Sequence, residues 1–340
     1  MKTEGTRVTS FDVAEKAGVS QATVSRALAG STIISEATRD KVLQAARELK
    51  YHVDERAASL RQGRTRSLAV VLIARLDGAI DAVNPVAHAV LAAVLRSAGK
   101  RNLQALVSYQ ASEAEFAGDF PDRGLADGMI VIGTTANAAA WDYFRALDDG
   151  ARKVAYWGGA SDDLAFVRPD NHAGARQLTE YLLGKGYRKP VFIGASDPYQ
   201  QQFRERLAGF EAAMQEAGLA AQTIDTPDDL LREEQGRRAV DRLLDEGIDC
   251  DSIFAACDAS ALGAIEQLRR RNVRCPEHIG VVGFDGIAAG AHSFPTLTTV
   301  RADFDAAGEA LVEMALANSP DSKRIPVSLI ERESALGPKV

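Results

Sequence analysis

Hydrophobic and polar positions follow two different periods along this 340-residue chain, and the change falls near residue 66. Before it, apolar residues recur at helical spacing in three short segments. After it, short apolar runs typical of buried strands alternate with longer segments of helical period. The pattern predicts a small all-α N-terminal domain and a larger α/β domain built from parallel sheets with helices on both faces.

The first two predicted helices are joined by a sharp turn at Gly18. Thr9 is placed to cap the first helix, with Asp12 three residues later as its capping-box partner. Gly18 tolerates the left-handed backbone that a sharp helix end needs. Ser20 is placed to cap the second helix and Ser35 the third. This arrangement predicts a helix-turn-helix.

The second predicted helix carries a polar face of four residues. Gln21, Ala22, Ser25 and Arg26 share it because their spacing is i, i+1, i+4 and i+5. Arginine can donate two hydrogen bonds to guanine and glutamine can pair with adenine, so the face is typical of major-groove reading. A small helical bundle with a solvated polar face would show the same period. The candidate DNA contacts of this region are Thr9, Ser20, Gln21, Ala22, Thr23, Ser25 and Arg26.

Charge is divided unevenly between the two predicted domains. Residues 1–66 hold 12 basic and 8 acidic residues, a net charge of +4, whereas the remainder holds 28 and 39, a net charge of −11. A basic end on an acidic body fits a protein that meets phosphate at one end. The overall net charge of −7 conceals this.

The larger domain contains enough strand–helix units for two open sheets side by side. In such sheets ligands bind at the carboxyl ends of the strands, so we expect a site in the cleft between two doubly wound subdomains. Closure of the cleft would trap the ligand. Strands are predicted at 68–73, 104–108, 128–132, 153–156, 191–193, 223–224, 253–256 and 279–284.

The N-terminal sequence resembles the DNA-binding headpiece of the LacI/GalR family of bacterial transcription regulators, through VTSFDVAEKAGVSQATVSRAL followed by ISEATRDKVLQAARELKY. The body resembles the same family more loosely, through RERLAGFEAAM, IFAACDASALGAIEQLR and IGVVGFDG. The resemblance implies a helix-turn-helix headpiece and a core like the periplasmic binding proteins. The implied boundaries are 1–53 for the headpiece, 54–66 for a hinge helix and linker, 67–167 with 294–325 for the N-subdomain, and 168–293 with 326–340 for the C-subdomain.

The segment between headpiece and core is a possible helix of about two turns, too short to be stable alone in water. The resemblance implies a hinge helix that forms on DNA, with Leu60 wedged into the minor groove and Ala57 near the groove floor. The sequence departs from the family pattern at Val53, where proline is common, and at Arg56, where an apolar residue is common. An ordinary linker is the alternative.

The resemblance also implies effector-binding residues. Arg206 and Asp285 match residues that bind effector oxygens and hydroxyls, since a guanidinium offers a fork of donors and a carboxylate accepts two hydroxyl hydrogens. Asp170 is a weaker candidate, and Trp157 could form an apolar wall of the pocket. Alternatively, Arg206 is a solvated helix arginine, Asp285 caps the next segment and Trp157 packs in the core. Cys257 stands where the family commonly has asparagine, which removes one amide contact.

Other classes of function find little support in the chain. It has no Walker-type phosphate loop and no GxSxG elbow, so neither an enzyme nor a cofactor is expected. The three cysteines and five histidines lack metal-ligand spacing, and we expect reduced thiols. No apolar run is long enough to span a membrane, and the polar N-terminus is not a signal peptide.

These features and the resemblance together predict a cytoplasmic, homodimeric, ligand-responsive transcription repressor that binds a palindromic operator. The resemblance alone implies that the ligand is a sugar or sugar derivative. One alternative is a periplasmic-type binding protein without DNA function, which residues 67–340 alone would suit. Another is an α/β enzyme with an unrelated helical appendage. A gel shift on palindromic DNA, with and without metabolites, would separate these possibilities.

Overall fold

The computed structural model describes residues 8–51, 64–74, 84–133, 137–148, 153–159, 163–194, 200–227, 230–317, 319 and 321–338. Contacts divide the chain into two compact units, Met1–Thr65 and Arg66–Val340. The predicted hinge contacts Ala57 and Leu60 lie outside the described residues.

The N-terminal unit contains three helices, α1 (Ser10–Ala17), α2 (Gln21–Leu28) and α3 (Glu36–Glu48). The predicted caps are confirmed: Thr9 and Asp12 form a capping box, and Ser20 and Ser35 accept hydrogen bonds from the backbone of their helices. Gly18 has a φ of 65°, the left-handed conformation expected at the end of α1.

A small apolar core holds the three helices together. Val13, Val24 and Val42 contribute one fully buried side chain from each helix. Burying a valine completely contributes roughly 1.5–3 kcal/mol relative to exposure. Lys16 and Glu48 add an ion pair of 2.7 Å between α1 and α3, but both side chains are exposed, so core packing stabilises the unit more than this pair does.

The second unit begins with a six-stranded parallel sheet in the order β11-β5-β4-β3-β1-β2. Apolar side chains from both faces are buried against helices, which explains the uninterrupted apolar runs of its central strands. The strands are β1 (Ser67–Ile73), β2 (Gln104–Gln110), β3 (Gly128–Gly133), β4 (Val154–Trp157), β5 (Phe166–Pro169) and β11 (Lys323–Ile325), and the helices are α4 (Pro85–Lys100), α5 (Ala138–Leu147) and α10 (Phe304–Ala317).

A second parallel sheet of four strands follows, in the order β7-β6-β8-β9. Helices α6 and α7 pack on one face of it, and α8 and α9 pack on the other. The strands are β6 (Pro190–Gly194), β7 (Gln222–Asp225), β8 (Ser252–Ala255) and β9 (Gly280–Val282), and the helices are α6 (Asn171–Gly184), α7 (Gln201–Glu216), α8 (Arg232–Asp245) and α9 (Asp258–Arg270).

The chain passes between the two sheets more than once. It leaves the first sheet after β5, returns to it through α10 after β10 (Thr299–Ala302), and leaves again between β11 and β12 (Val327–Ile330). Strands β10 and β12 pair with each other in antiparallel fashion. Arg168 of β5 lies opposite Arg324 of β11, so two of the crossings start side by side.

All eight predicted strands are present in the structure, some with shifted ends. The sequence pattern did not predict β5, β10, β11 or β12. Each of these is only three or four residues long, and three of them contain arginine, which interrupts an apolar run. The doubly wound architecture of both subdomains agrees with the expected fold class.

Candidate nucleic-acid interface and effector site

Three of the four residues predicted on the polar face of α2 are exposed. They are Ala22, Ser25 and Arg26, which occupy one side of the helix while Val24 and Ala27 face the core. Gln21 is half-buried, and its amide Nε2 donates to the Ser10 hydroxyl of α1 at 2.9 Å. The face therefore presents one arginine, one small hydroxyl and one methyl group outward.

The hydroxyl residues around this face cap helices. Ser20 Oγ accepts from the Thr23 backbone N–H at 3.2 Å, and the two hydroxyls lie 2.9 Å apart. Thr9 Oγ1 donates to the Asp12 carboxylate at 2.8 Å. A capping serine or threonine at the surface keeps further hydrogen-bonding capacity, because a hydroxyl has one donor and two acceptor positions.

Arg206 lies in the first half of α7, where its side chain is only 5% exposed. The solvated alternative is therefore excluded. Its guanidinium donates to Asn171 Oδ1 at 2.9 Å, to the Ala256 carbonyl at 2.5 Å and to Asp285 Oδ1 at 3.0 Å. It also lies 3.7 Å from the ring centroid of Phe284. Asparagine, aspartate and ring together fix the plane of the guanidinium.

Asp285 follows β9, and its carboxylate joins this segment to α7 by accepting the hydrogen bond from Arg206. Its backbone N–H donates to the Val300 carbonyl at 2.9 Å, and its φ of 123° is rare for a residue other than glycine. Burial raises the pKa of Asp285 above its ordinary value, and the charge and hydrogen bond of Arg206 oppose that rise. Strained backbone of this kind persists only where its surroundings enforce it and is often found at ligand sites.

Asp258, the first residue of α9, is a fully buried carboxylate that was not predicted as part of the site. It accepts from Thr299 Oγ1 at 2.6 Å and from the Ile287 backbone N–H at 2.8 Å. Burial, reinforced by the negative charge of Asp285, raises the pKa of Asp258 to about 7. The sequence comparison with the family singles out the neighbouring Cys257, but nothing in the sequence indicates how deeply the Asp258 carboxylate is buried.

The remaining two candidates have structural roles. Asp170 Oδ1 accepts from the Ala173 backbone N–H at 3.1 Å and so caps α6. Trp157 is 5% exposed and packs in the core of the first sheet, 6.3 Å from the ring of Phe304. The structure thus brings Arg206 and Asp285 into contact, whereas Asp170 caps a helix and Trp157 packs in a core.

A helix-turn-helix unit followed by a two-sheet body with a buried arginine–carboxylate pair is the architecture of a class of DNA-binding regulators. Comparison with known proteins identifies the family. Residues 11–54 match the lacI family of bacterial regulatory proteins, and residues 179–335 match the periplasmic binding protein-like domain. The chain is 30% identical over 318 residues to the HTH-type transcriptional regulator MalR of Streptomyces coelicolor, covering 90% of this chain and 88% of MalR. This protein belongs to the LacI family of transcriptional regulators, which are not enzymes.

Other relatives support the same conclusion along the whole chain. The HTH-type transcriptional regulator CelR of Thermobifida fusca is 28% identical over 326 residues, 94% of each chain. A structure of a CelR–cellobiose complex is 27% identical with a TM-score of 0.66, covering 96% of this chain and all of that one. The lac repressor dimer bound to operator and the anti-inducer ONPF shares the fold, with a TM-score of 0.74 at 23% identity.

Within the described residues, no helix has both the length and the apolar character needed to cross a membrane.

Proposed function

We propose that this regulator is a cytoplasmic repressor that binds a palindromic operator as a homodimer and responds to a sugar or sugar derivative. In this proposal residues 1–53 form the DNA-binding headpiece, 54–66 the hinge and linker, and 67–340 the effector-binding and dimerisation core. Its N-subdomain comprises about 67–167 and 294–325, and its C-subdomain about 168–293 and 326–340.

The DNA-binding part of the proposal assigns base reading to Gln21 and Arg26 and a groove contact to Ala22. For Gln21 this requires that its amide leave the Ser10 hydroxyl when the protein meets DNA. The exposure of Arg26 on α2 supports this assignment, because a guanidinium free to extend can donate two hydrogen bonds to guanine. Phosphate contacts are assigned to Ser20, Thr23 and Ser25, and minor-groove contacts to Ala57 and Leu60. Thr9 is proposed as a further DNA contact.

One observation carries the effector part, namely the buried contact between Arg206 and Asp285. Arg206 makes three hydrogen bonds to residues that the structure describes, and a guanidinium has five N–H groups. Among the residues that the structure describes, only one of the two carboxylate oxygens of Asp285 accepts a hydrogen bond. The pair can therefore offer both donors and an acceptor to the hydroxyl groups of a sugar.

Homodimer formation is supported by the edge of the first sheet. Strand β2 lies at the end of the strand order and pairs with β1 on one side. Leu106, Val107 and Tyr109 on this strand are 40–50% exposed. An edge strand with exposed apolar side chains is a surface on which another chain can pair or pack, and we assign this face to a second copy of the chain.

Thermal unfolding with a panel of cellobiose, maltose, D-glucose and D-galactose tests the effector site. A bound sugar stabilises the folded state, so at least one should raise the melting temperature of the wild type. Arg206→Ala and Asp285→Ala should each weaken that sugar by roughly tenfold or more, since an unpaired buried polar group costs about 1–3 kcal/mol and 1.4 kcal/mol is tenfold.

Arg204→Ala is the matched control, because Arg204 is an exposed arginine two residues before Arg206 on the same helix. It should bind the sugar like the wild type. A panel without any stabilising sugar would contradict the proposed effector class. Wild-type sugar affinity in both Arg206→Ala and Asp285→Ala would place the pocket elsewhere.

A further inference from the structure

Glu205, the residue next to Arg206 on α7, reaches in the other direction and contacts the first sheet. Its Oε1 accepts from Arg168 at 2.8 Å and from Arg324 at 2.9 Å. Its Oε2 accepts from Arg324 at 3.0 Å and from Asn171 Nδ2 at 2.9 Å. We call these four residues the Glu205 clamp.

The clamp joins the two subdomains at the points where the chain crosses between them. Arg168 and Arg324 lie opposite each other on β5 and β11 of the first sheet, whereas Glu205 belongs to a helix of the second. Asn171 is the first residue of α6, directly after the crossing from β5. The clamp is thus placed where a change in subdomain arrangement must be accommodated.

All members of the clamp except the half-exposed Arg324 are buried or nearly so, and the carboxylate is fully hydrogen-bonded. The side chain of Arg168 has no exposed area and that of Glu205 is 10% exposed. Burial alone would raise the pKa of Glu205, but hydrogen bonds from Arg324 and Asn171 and the charges of both arginines hold it below its ordinary value. All four acceptor positions of the carboxylate are filled. Removing one partner from such a buried group is strongly unfavourable, so the arrangement is rigidly specified.

Asn171 connects the clamp to the effector arginine. Its carboxamide nitrogen donates to Glu205, while its carboxamide oxygen accepts from Arg206 Nε at 2.9 Å. The side chain is completely buried, so water does not compete for either bond. Movement of the Arg206 guanidinium therefore pulls on the same amide that holds Glu205.

We propose that Glu205 and Asn171 are positioning residues, which hold the guanidinium of Arg206 in register with β5 and β11 of the first sheet. The consequence of this positioning for effector binding rests on the effector role proposed for Arg206. The mechanical link itself does not depend on that role, and it is tested without DNA or sugar.

Hydrogen–deuterium exchange of the full-length protein tests the link. Glu205→Gln keeps the size of the side chain but removes its charge. It should speed exchange by about tenfold or more at β5 and β11, and also at segments 256–258 and 284–286, which contact Arg206. Glu216→Gln is the matched control, since Glu216 lies on the same helix and forms an exposed pair with Arg176. It should exchange like the wild type in all four segments.

Asn171→Ala separates the two halves of the link. It should speed exchange at segments 256–258 and 284–286 while β5 and β11 remain protected by the pairs between Glu205 and the arginines. If Glu205→Gln does not fold, Arg324→Gln replaces it, because Arg324 is 43% exposed and its loss is milder.

Faster exchange confined to β5 and β11 in Glu205→Gln would overturn the proposal, because the clamp would then be a local ion cluster. Unchanged pocket exchange in Asn171→Ala would overturn it as well. Failure of every sugar to bind the wild type would count against the proposed function and leave these exchange patterns as they are.

Discussion

Arg206 is surrounded by groups from three separate segments of the chain, namely Asn171 of α6, the Ala256 carbonyl after β8, and the adjacent Phe284 and Asp285 after β9. The resemblance identified Arg206 and Asp285 as partners of a ligand. That they also bind each other could not be predicted, because the contact depends on how β9 packs against α7. Asp258 was missed as a site residue for a similar reason, since its burial comes from contacts with Ile287 and Thr299, distant in sequence.

Asp258 should make the stability of the body depend on pH. Burial raises its pKa from 3.8 to about 7, so the folded state binds the proton more tightly than the unfolded state. Its contribution to stability is therefore fully present at pH values below about 4 and is lost as pH rises through about 7. Asp258→Asn removes this titration, and the fall in unfolding free energy between about pH 5 and pH 8 should become smaller. Urea unfolding of the wild type and of Asp258→Asn at both pH values measures this fall.

Asp249→Asn is the control for that measurement, since Asp249 is an exposed partner of Lys189. The control should keep the pH dependence of the wild type. An equal pH dependence in Asp258→Asn and the wild type would show that Asp258 is ionised at both pH values.

The elements of this fold differ in how clearly the sequence indicates them. Strands such as β1 and β3 are uninterrupted apolar runs because they are buried on both faces by helices, and their pattern alone predicts them. Strand β5 has the sequence FVRP, and its arginine is tolerated in the sheet because Glu205 pairs with it. Because Glu205 lies 37 residues away in the sequence, the local pattern of apolar residues around Arg168 does not reveal this pairing.

Helices α8 and α9 pack unusually closely through two glycines. A methyl group at Gly263 would meet the Glu233 carbonyl oxygen at 2.0 Å, and one at Gly236 would meet that of Ser260 at 2.0 Å. Because both obstacles are backbone atoms, the helices must move apart to accept a side chain. The sequence contains these glycines inside helices, where they lower helix propensity, and the close crossing explains their presence.

Gly263→Ala should therefore destabilise the body by about 1–3 kcal/mol through overpacking. Gly99→Ala is the matched control, because Gly99 also lies in a helix but a methyl group there meets nothing within 4 Å. The control should be neutral or stabilising by up to about 1 kcal/mol. Chemical denaturation of the two variants compares them directly. A Gly263→Ala protein as stable as the wild type would contradict the close packing of α8 and α9.

At the scale of the whole molecule, the hydrophobic pattern predicts the two classes of fold that the structure contains, a small helical N-terminal unit and an α/β body of parallel sheets. The basic N-terminal unit has its own core of buried valines and alanines, and the acidic body has separate cores on both faces of each sheet. Membership of the LacI family gives the first unit its role in DNA binding. The body's role in sensing a small molecule follows from the Arg206–Asp285 pair and remains a proposal.

Operator selection from a randomised palindromic DNA library tests the central claim most directly. The full-length protein should enrich one palindrome, and its affinity should fall steeply with salt because phosphate contacts release counterions. Arg26→Ala should cost roughly 1–3 kcal/mol on that palindrome and relax the preference at one symmetric pair of positions. Residues 67–340 alone, as the control, should enrich nothing. Uniform weakening by Arg26→Ala across all sequences, or enrichment by the body alone, would contradict sequence reading by α2.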